Sequence, residues 1–266
     1  MPIRRLHTPL YREQFGLLSR LPVRHLQTLE IALQKGSQQD FDAVCKLLKR
    51  ATSVESLHLS LPRTIGFDPK ARFSIEAPNL RHLVVFSQSQ IEIVDSPDLT
   101  HVLLGWAPAH AAWLSNTQKS GKSLVDTFRL QPWPRLLVLH VAAPVSWVCD
   151  LASLLPSSLT DVSLAIHGQC VLSRLRDRTR LLLVTLPNLV SFVLHTLPDP
   201  LQLTQDKKPL APLDCLAVAD RLEFLWVSVP LPVPIDISDL RMPRLHTVIG
   251  AVVFDVASAP RVEKVD

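Results

Sequence analysis

Glycine is scarce: seven in 266 residues, against 22 prolines. Loops that cradle phosphate through glycine backbone are therefore few, and proline carries most of the punctuation between elements. "SGKS", Ser120–Ser123, looks like the tail of a phosphate loop, but the glycine required five residues before Gly121 is Asn116, so no nucleotide site is expected. Cysteine is also rare. Cys45, Cys149, Cys170 and Cys215 form no Cys-x-x-Cys pair, which argues against a zinc knot or disulfide framework and fits a reducing compartment.

Charge of one sign is lacking too. The formal net charge is +4, and lysine and arginine are scattered rather than striped, so nucleic acid is not an expected partner. The opening "MPIRRLHTPLYREQF" has basic residues but no apolar segment, and no secretory signal is expected. Long apolar runs are interrupted: Leu99–Gln118 holds a proline and two histidines, and Leu181–Pro198 holds two prolines, an asparagine and a histidine. Buried strands fit these stretches better than membrane spans, because backbone freed by proline needs partners that lipid does not supply. No membrane contact is expected, and the cytoplasm or nucleus is the expected location.

What is present is a repeat. "APNLRHLVVF" and "SPDLTHVLLG" say nearly the same thing, with Leu80 and Leu99 as equivalent residues. The pattern Leu-x-x-Leu-x-Leu, with conservative exchange, begins at Leu26, Val54, Leu80, Leu99, Leu136, Leu159, Leu189, Leu222, Leu245 and Val262, at intervals of 17 to 37 residues. A proline stands two residues before the first position at Pro78, Pro97, Pro134, Pro187, Pro243 and Pro260. Proline fixes its own φ and donates nothing, which suits the turn ahead of a strand.

The first, fourth and sixth places should be apolar and inward, and the third and fifth outward. One unit alone cannot bury its apolar side, whereas stacked units share a core beneath a parallel sheet. Strands are expected at 28–31, 56–59, 82–85, 101–104, 138–141, 161–164, 191–194, 224–227 and 247–249. The longer intervals have room for helices in "QQDFDAVCKLLKRAT", with Asp40 as its N-cap, "APVSWVCDLASLLPSS", "GQCVLSRLRDRTRLLLVTLP" and "APLDCLAVADRL". The shortest internal interval has no such room, and "FSIEA" and "IEIVDS" alternate with period two, so short return strands are expected there. The expected fold is α/β: a leucine-rich-repeat solenoid, horseshoe-shaped, with a parallel sheet on the concave side and helices or short strands on the convex side. Residues 1–22 are expected as an N-terminal helical cap and 23–266 as about ten irregular repeats.

The units "FSIEAPNLRHLVVF" and "IEIVDSPDLTHVLLG" resemble the irregular repeats of F-box/LRR proteins, and "LPNLVSF" carries the same resemblance. It implies a non-catalytic protein-interaction module, the substrate-recognition part of an F-box-like ubiquitin-ligase receptor. Two departures stand out. No asparagine follows the sixth place by three residues: that slot holds Pro62, Gln88, Ala107 and Pro144. And no F-box is found, because the Leu-Pro of "SRLPVRHLQTL" runs straight into the first repeat, which leaves adaptor binding without support.

Outward positions are the candidate working surface, with a protein as the expected partner. His58, His82 and His101 should gather at one end, with His140 and Asp161 further along, and Trp226 and Phe224 should form an aromatic patch beside Ser191 and Val193. Aromatics at such places anchor interfaces. The competing readings are a hydrolase or metal-dependent enzyme built on the histidines, and a purely structural scaffold. No regular carboxylate or thiol accompanies the histidines, so no metal, cofactor or catalytic residue is expected.

Overall fold

The computed structural model describes residues 4–10, 20, 22–33, 38–60, 72–86, 90–94, 96–105, 133–144, 155–167, 169–196, 202–204, 218–229, 234–250, 252–255, 257 and 259–262. They fall into two compact units, residues 4–105 with 133–136, and residues 137–262.

The first unit contains β1 (Arg5–Leu10), β2 (Thr28–Leu33), β3 (Ser56–Ser60), β4 (Arg72–Glu76), β5 (His82–Phe86), β6 (Gln90–Val94) and β7 (His101–Gly105). Strands β1, β2, β3, β5 and β7 lie side by side in that order, all parallel. Strands β4 and β6 pair with each other, also in parallel, on the return path. The second unit contains β8 (Val138–Pro144), β9 (Asp161–His167), β10 (Gln169–Val171), β11 (Ser191–Thr196), β12 (Gln202–Thr204), β13 (Phe224–Ser228), β14 (Ile235–Asp236), β15 (Thr247–Gly250) and β16 (Val252–Val253). Here β8, β9, β11, β13 and β15 are parallel neighbours, and β10 pairs with β12 and β14 with β16. The chain is thus α/β, with ten parallel main strands among the described residues. The described residues hold two α-helices, α1 (Gln38–Arg50) and α2 (Leu172–Thr185).

The alternation read from the sequence is the alternation observed. In β3, Leu57 and Leu59 are buried while Ser56, His58 and Ser60 are half-buried. Fourth places fall opposite one another along each sheet: Leu29, Leu57, Leu83 and Val102 in the first unit, and Leu139, Val162, Phe192, Leu225 and Val248 in the second. All nine are buried. Because the strands are in register, each apolar side chain meets the same place on its neighbours. Every such side chain taken out of water contributes about 1.5–3 kcal/mol before entropy is charged against it.

One turn precedes the strands. The amide of Leu80 donates to the Ala77 carbonyl at 3.0 Å, and the same closure occurs at Leu99 to Ser96, Leu136 to Trp133, Leu189 to Leu186, Leu245 to Met242 and Val262 to Ala259. The prolines stand at the second position of these four-residue turns, where their fixed φ is already correct. Both ends of the turn point into the core: Ala77, Ser96, Trp133, Leu186, Met242 and Ala259 are buried along with the first-place leucines. A coupling follows the turn. The Glu55 carbonyl accepts from the amides of both Arg81 and His82, at 2.8 and 2.9 Å. Gln27, Arg81, Leu137, Thr160, Val190 and Glu223 each accept in the same way from the unit after them.

Asparagine rungs do exist, in the turn rather than after the strand. Asn79 Nδ2 donates to the Thr52 carbonyl at 2.7 Å, and Asn188 Nδ2 to the Ser157 carbonyl at 2.8 Å. Asp98 occupies the equivalent turn position and instead takes Arg135 Nη1 at 2.5 Å.

Several expectations change. Arg5–Leu10 form a strand, not part of a helical cap, with Arg5 opposite Thr28. Among the described residues nothing pairs with the far side of β1, and such an edge tolerates Pro9, which has no amide to offer a ladder. Helix α1 starts at Gln38, so Asp40 lies inside its first turn and does not cap it. Leu104, expected inward, is half-buried. The sixth place at Gly250 has φ of +97°, and a Cβ there would stand 1.9 Å from the Val227 carbonyl oxygen, so only glycine fits. Two expected helices are not helical where they are described: residues 155–158 bend and turn, and in 218–222 Val218 bridges Arg241 ahead of a turn. Residues 145–154 and 211–217, the whole interval 106–132 with its SGKS, and Val265 lie outside the described residues.

Helix α1 buries Val44, Leu47 and Leu48, and Ala51 just after it. Its Lys49 reaches Glu76 on β4 at 3.2 Å. Helix α2 buries a charge as well as leucines: Arg180 is 4% exposed and pairs with Asp239. Nearby, backbone and side-chain hydrogen bonds from Ser238 hold the Asp236 carboxyl below its usual range, with Arg180 and Arg176 adding to the effect.

Candidate functional site

The open face of each sheet is made by the third and fifth places and by the residue after the sixth. All eighteen third- and fifth-place residues from β2 to β15 are half-buried or exposed, as alternation requires. What these side chains do differs between the units.

In the first unit the three histidines form two separate groups. His82 and His101 face each other across β5 and β7, with ring centroids 4.6 Å apart and planes at 35°. The Thr100 hydroxyl lies 3.0 Å from the Arg81 carbonyl and 2.8 Å from His101 Nδ1, and so ties the ring to the preceding repeat. His58 sits in the other row. Its Nδ1 lies 3.4 Å from Glu30 Oε1, and its ring lies 5.8 Å from that of Phe86. Glu30 is the carboxylate partner that the sequence reading did not see. It stands at the fifth place one strand earlier, so the repeat register itself points to it. Among the described residues no group of three histidine, cysteine, aspartate or glutamate side chains is arranged to hold a metal.

A polar recess of about 330 Å³ lies at the turn end of this unit, lined by Gln27, Ser53, Glu55, Asn79, Arg81 and Asp98. Its groups largely answer one another. Arg81 approaches Glu55 at 4.0 Å, Asp98 holds Arg135, and Asn79 spans to the preceding turn.

In the second unit the open face forms a groove of about 590 Å³, lined by His140, Asp161, Val162, Ser163, Ser191, Val193, His195, Thr196, Trp226 and Ser228. Strand register builds it. Trp226 lies opposite Val193 and Ile249, His140 opposite Ser163, and His195 between Ala165 and Ser228. Serines and alanine leave room between the larger side chains. Trp226 is 39% exposed. The Asp161 carboxylate takes a hydrogen bond from the Thr160 hydroxyl at 2.7 Å. Burial holds the His195 imidazole below its ordinary pKa, and the neighbouring His140 adds to this.

The groove therefore unites three of the sequence-derived candidates, Trp226, Asp161 and His140, and leaves four outside it. Phe224 is half-buried at the third place of β13, opposite Ser191 and Thr247, and does not line the groove. His58, His82 and His101 belong to the first unit. The residue missed was His195. β11 runs on past its sixth place, and continuing "SFVLHT" at period two puts Ser191, Val193 and His195 on one face. Among the described residues neither groove histidine hydrogen-bonds a serine hydroxyl or Asp161. The groove offers an aromatic seat, short hydroxyls, two imidazoles and one carboxylate. No helix among the described residues is long and apolar enough to cross a membrane.

Compared with family models and with curated proteins, the sequence matches none.

Proposed function

We propose that the chain is a leucine-rich-repeat solenoid whose open, concave face docks another protein, without chemistry of its own. It would act in the cytoplasm or nucleus as the substrate-recognition part of a receptor of the F-box/LRR kind. The observation that carries this reading is the groove around Trp226. A large aromatic side chain stands exposed among small residues on an otherwise regular surface, and such residues anchor interfaces. The repeated turn, the in-register parallel strands and the varied residues at third and fifth places support the repeat reading. The resemblance of "APNLRHL", "SPDLTHV" and "LPNLVSF" supports the receptor reading.

The test is capture from cells with the full chain and with Trp226→Ala, alongside thermal unfolding of both. The wild-type chain should retain proteins that the variant loses by about tenfold or more, while stability shifts by less than about 1 kcal/mol. Identical captured sets would remove the groove from consideration. Cullin-ligase adaptors among the retained proteins would extend the reading to a receptor, and their absence would confine it to an interaction module.

A further inference from the structure

We propose that the groove of the second unit seats an extended peptide segment carrying an arginine or lysine on Asp161 and a large apolar side chain on Trp226. The proposal rests on the docking reading above and names the chemistry of the partner.

Charge supplies the first argument. Among the described residues lining the groove, Asp161 is the one with a formal charge. The other polar liners are hydroxyls and two imidazoles. Burial keeps the His195 ring in its neutral form at neutral pH, so it does not repel a cation. An acidic segment would meet the Asp161 carboxylate with no fixed positive charge among the described liners to offset it. Complementarity therefore selects a cation.

Position supplies the second. Asp161 is a third place on β9 and Trp226 a fifth place on β13, with β11 between them. Two interstrand steps and a two-residue offset separate their Cα atoms by roughly 12 Å. An extended segment advances about 3.3 Å per residue, so the basic and apolar residues should be three or four apart. The surface between them is low: Ser163 and Ser191 project little, and Val193 extends the apolar floor beside the indole. A backbone can approach there and use the hydroxyls, which no protein group among the described residues engages. Trp226 would then be an edge or face for an aliphatic or aromatic side chain, worth most at the centre of such a contact.

The experiment selects from a displayed library of random dodecapeptides on the full chain, with Asp161→Asn, Trp226→Ala and bare support as parallel baits. Asparagine keeps an acceptor for the Thr160 hydroxyl, so the fold should hold, and circular dichroism and melting check this. Sequences enriched on the wild-type chain should carry Arg or Lys three or four residues from Leu, Ile, Phe, Trp or Met. The leading peptide should bind D161N at least tenfold more weakly. Replacing its arginine by citrulline should cost the wild-type chain the same factor, with no further loss on D161N. The citrulline arm needs no protein variant and decides the matter even where D161N unfolds. Enriched sequences without a cation, acidic winners, or unchanged affinity with citrulline would overturn the proposal while leaving the docking reading intact. Failure of the wild-type chain to enrich any peptide above bare support would overturn both.

Discussion

The two units share one backbone device and put it to different use on the open face. In the first unit the polar groups there answer one another: Glu30 reaches His58, the His82 and His101 rings lie against each other, and Thr100 hydrogen-bonds His101. In the second, the open face carries serines, two histidines, one carboxylate and an exposed tryptophan. The inward residues are nearly interchangeable between units, and the outward ones are not. A surface whose groups satisfy each other has little to offer a partner. One that leaves hydroxyls and an indole toward solvent gains when something covers it.

The sharpest way to test that the device is shared is to damage it equally in both units. Leu83→Ala and Leu225→Ala remove matched fourth-place side chains, each 1% exposed, and each should cost about 2–5 kcal/mol in denaturant titration. A loss under about 1 kcal/mol in one unit alone would mean that the units are not built alike. Gly250→Ala should cost about 1–3 kcal/mol or more, because a left-handed φ and a clash with the Val227 carbonyl arise together. Gly250→Ala melting like the parent chain would contradict the close approach of β13 and β15. Smaller again, Asn79→Ala and Asn188→Ala should each lose about 1 kcal/mol, since the same rung is removed once per unit. Unequal losses would show that the turns are coupled differently.

The smallest effect is one of pH, and it separates the faces. The folded-state pKa of His195 is depressed, so the unfolded chain takes up its proton first. Its contribution to stability is full above about 6.5, the pKa of a free imidazole. It is lost as pH falls through the folded value. Replacing His195 with Gln should flatten that part of the stability profile, and an NMR titration should find the His195 ring protonating below about 6.5. A ring that titrates at or above that pH would show the groove to be wetter than the packing implies. Asp236 acts by the same sign lower down, its contribution being lost as pH drops below the free carboxyl range.

Much of this was legible in the sequence for a plain reason. A buried strand with one face in the core must alternate, and a unit that stacks must repeat, so Leu29, Leu57, Leu83 and Leu139 announce both rules at once. Proline ahead of leucine announced the turn because fixed φ is a local property. What was not legible depended on neighbours. Arg180 reads as a surface residue of α2 until Asp239 is brought beside it. Glu30 and His58 lie 28 residues apart and meet only across a strand pair. His195 escaped because the repeat pattern ends at its sixth place while β11 continues beyond it. Arg5–Leu10 has no leucine motif of its own and becomes a strand through pairing with β2. The candidate site suffered most, since a groove is defined by which side chains are small, and small residues carry little signal.

The doubly accepting carbonyl seen at the second place of seven repeats among the described residues has a consequence for how such a chain can change. Each coupling presents one acceptor to the unit ahead and two donors to the unit behind, all from backbone. The fittings are identical whatever side chains surround them, and none lies in the segment that returns from one strand to the next. Insertions and deletions in the return path therefore leave every joint intact. That is how Leu80 and Leu99 can stand 19 residues apart while Leu189 and Leu222 stand 33 apart in the same kind of sheet. Length is free to drift where the fittings are not, and a lineage could lengthen one return or graft a whole unit without renegotiating its neighbours.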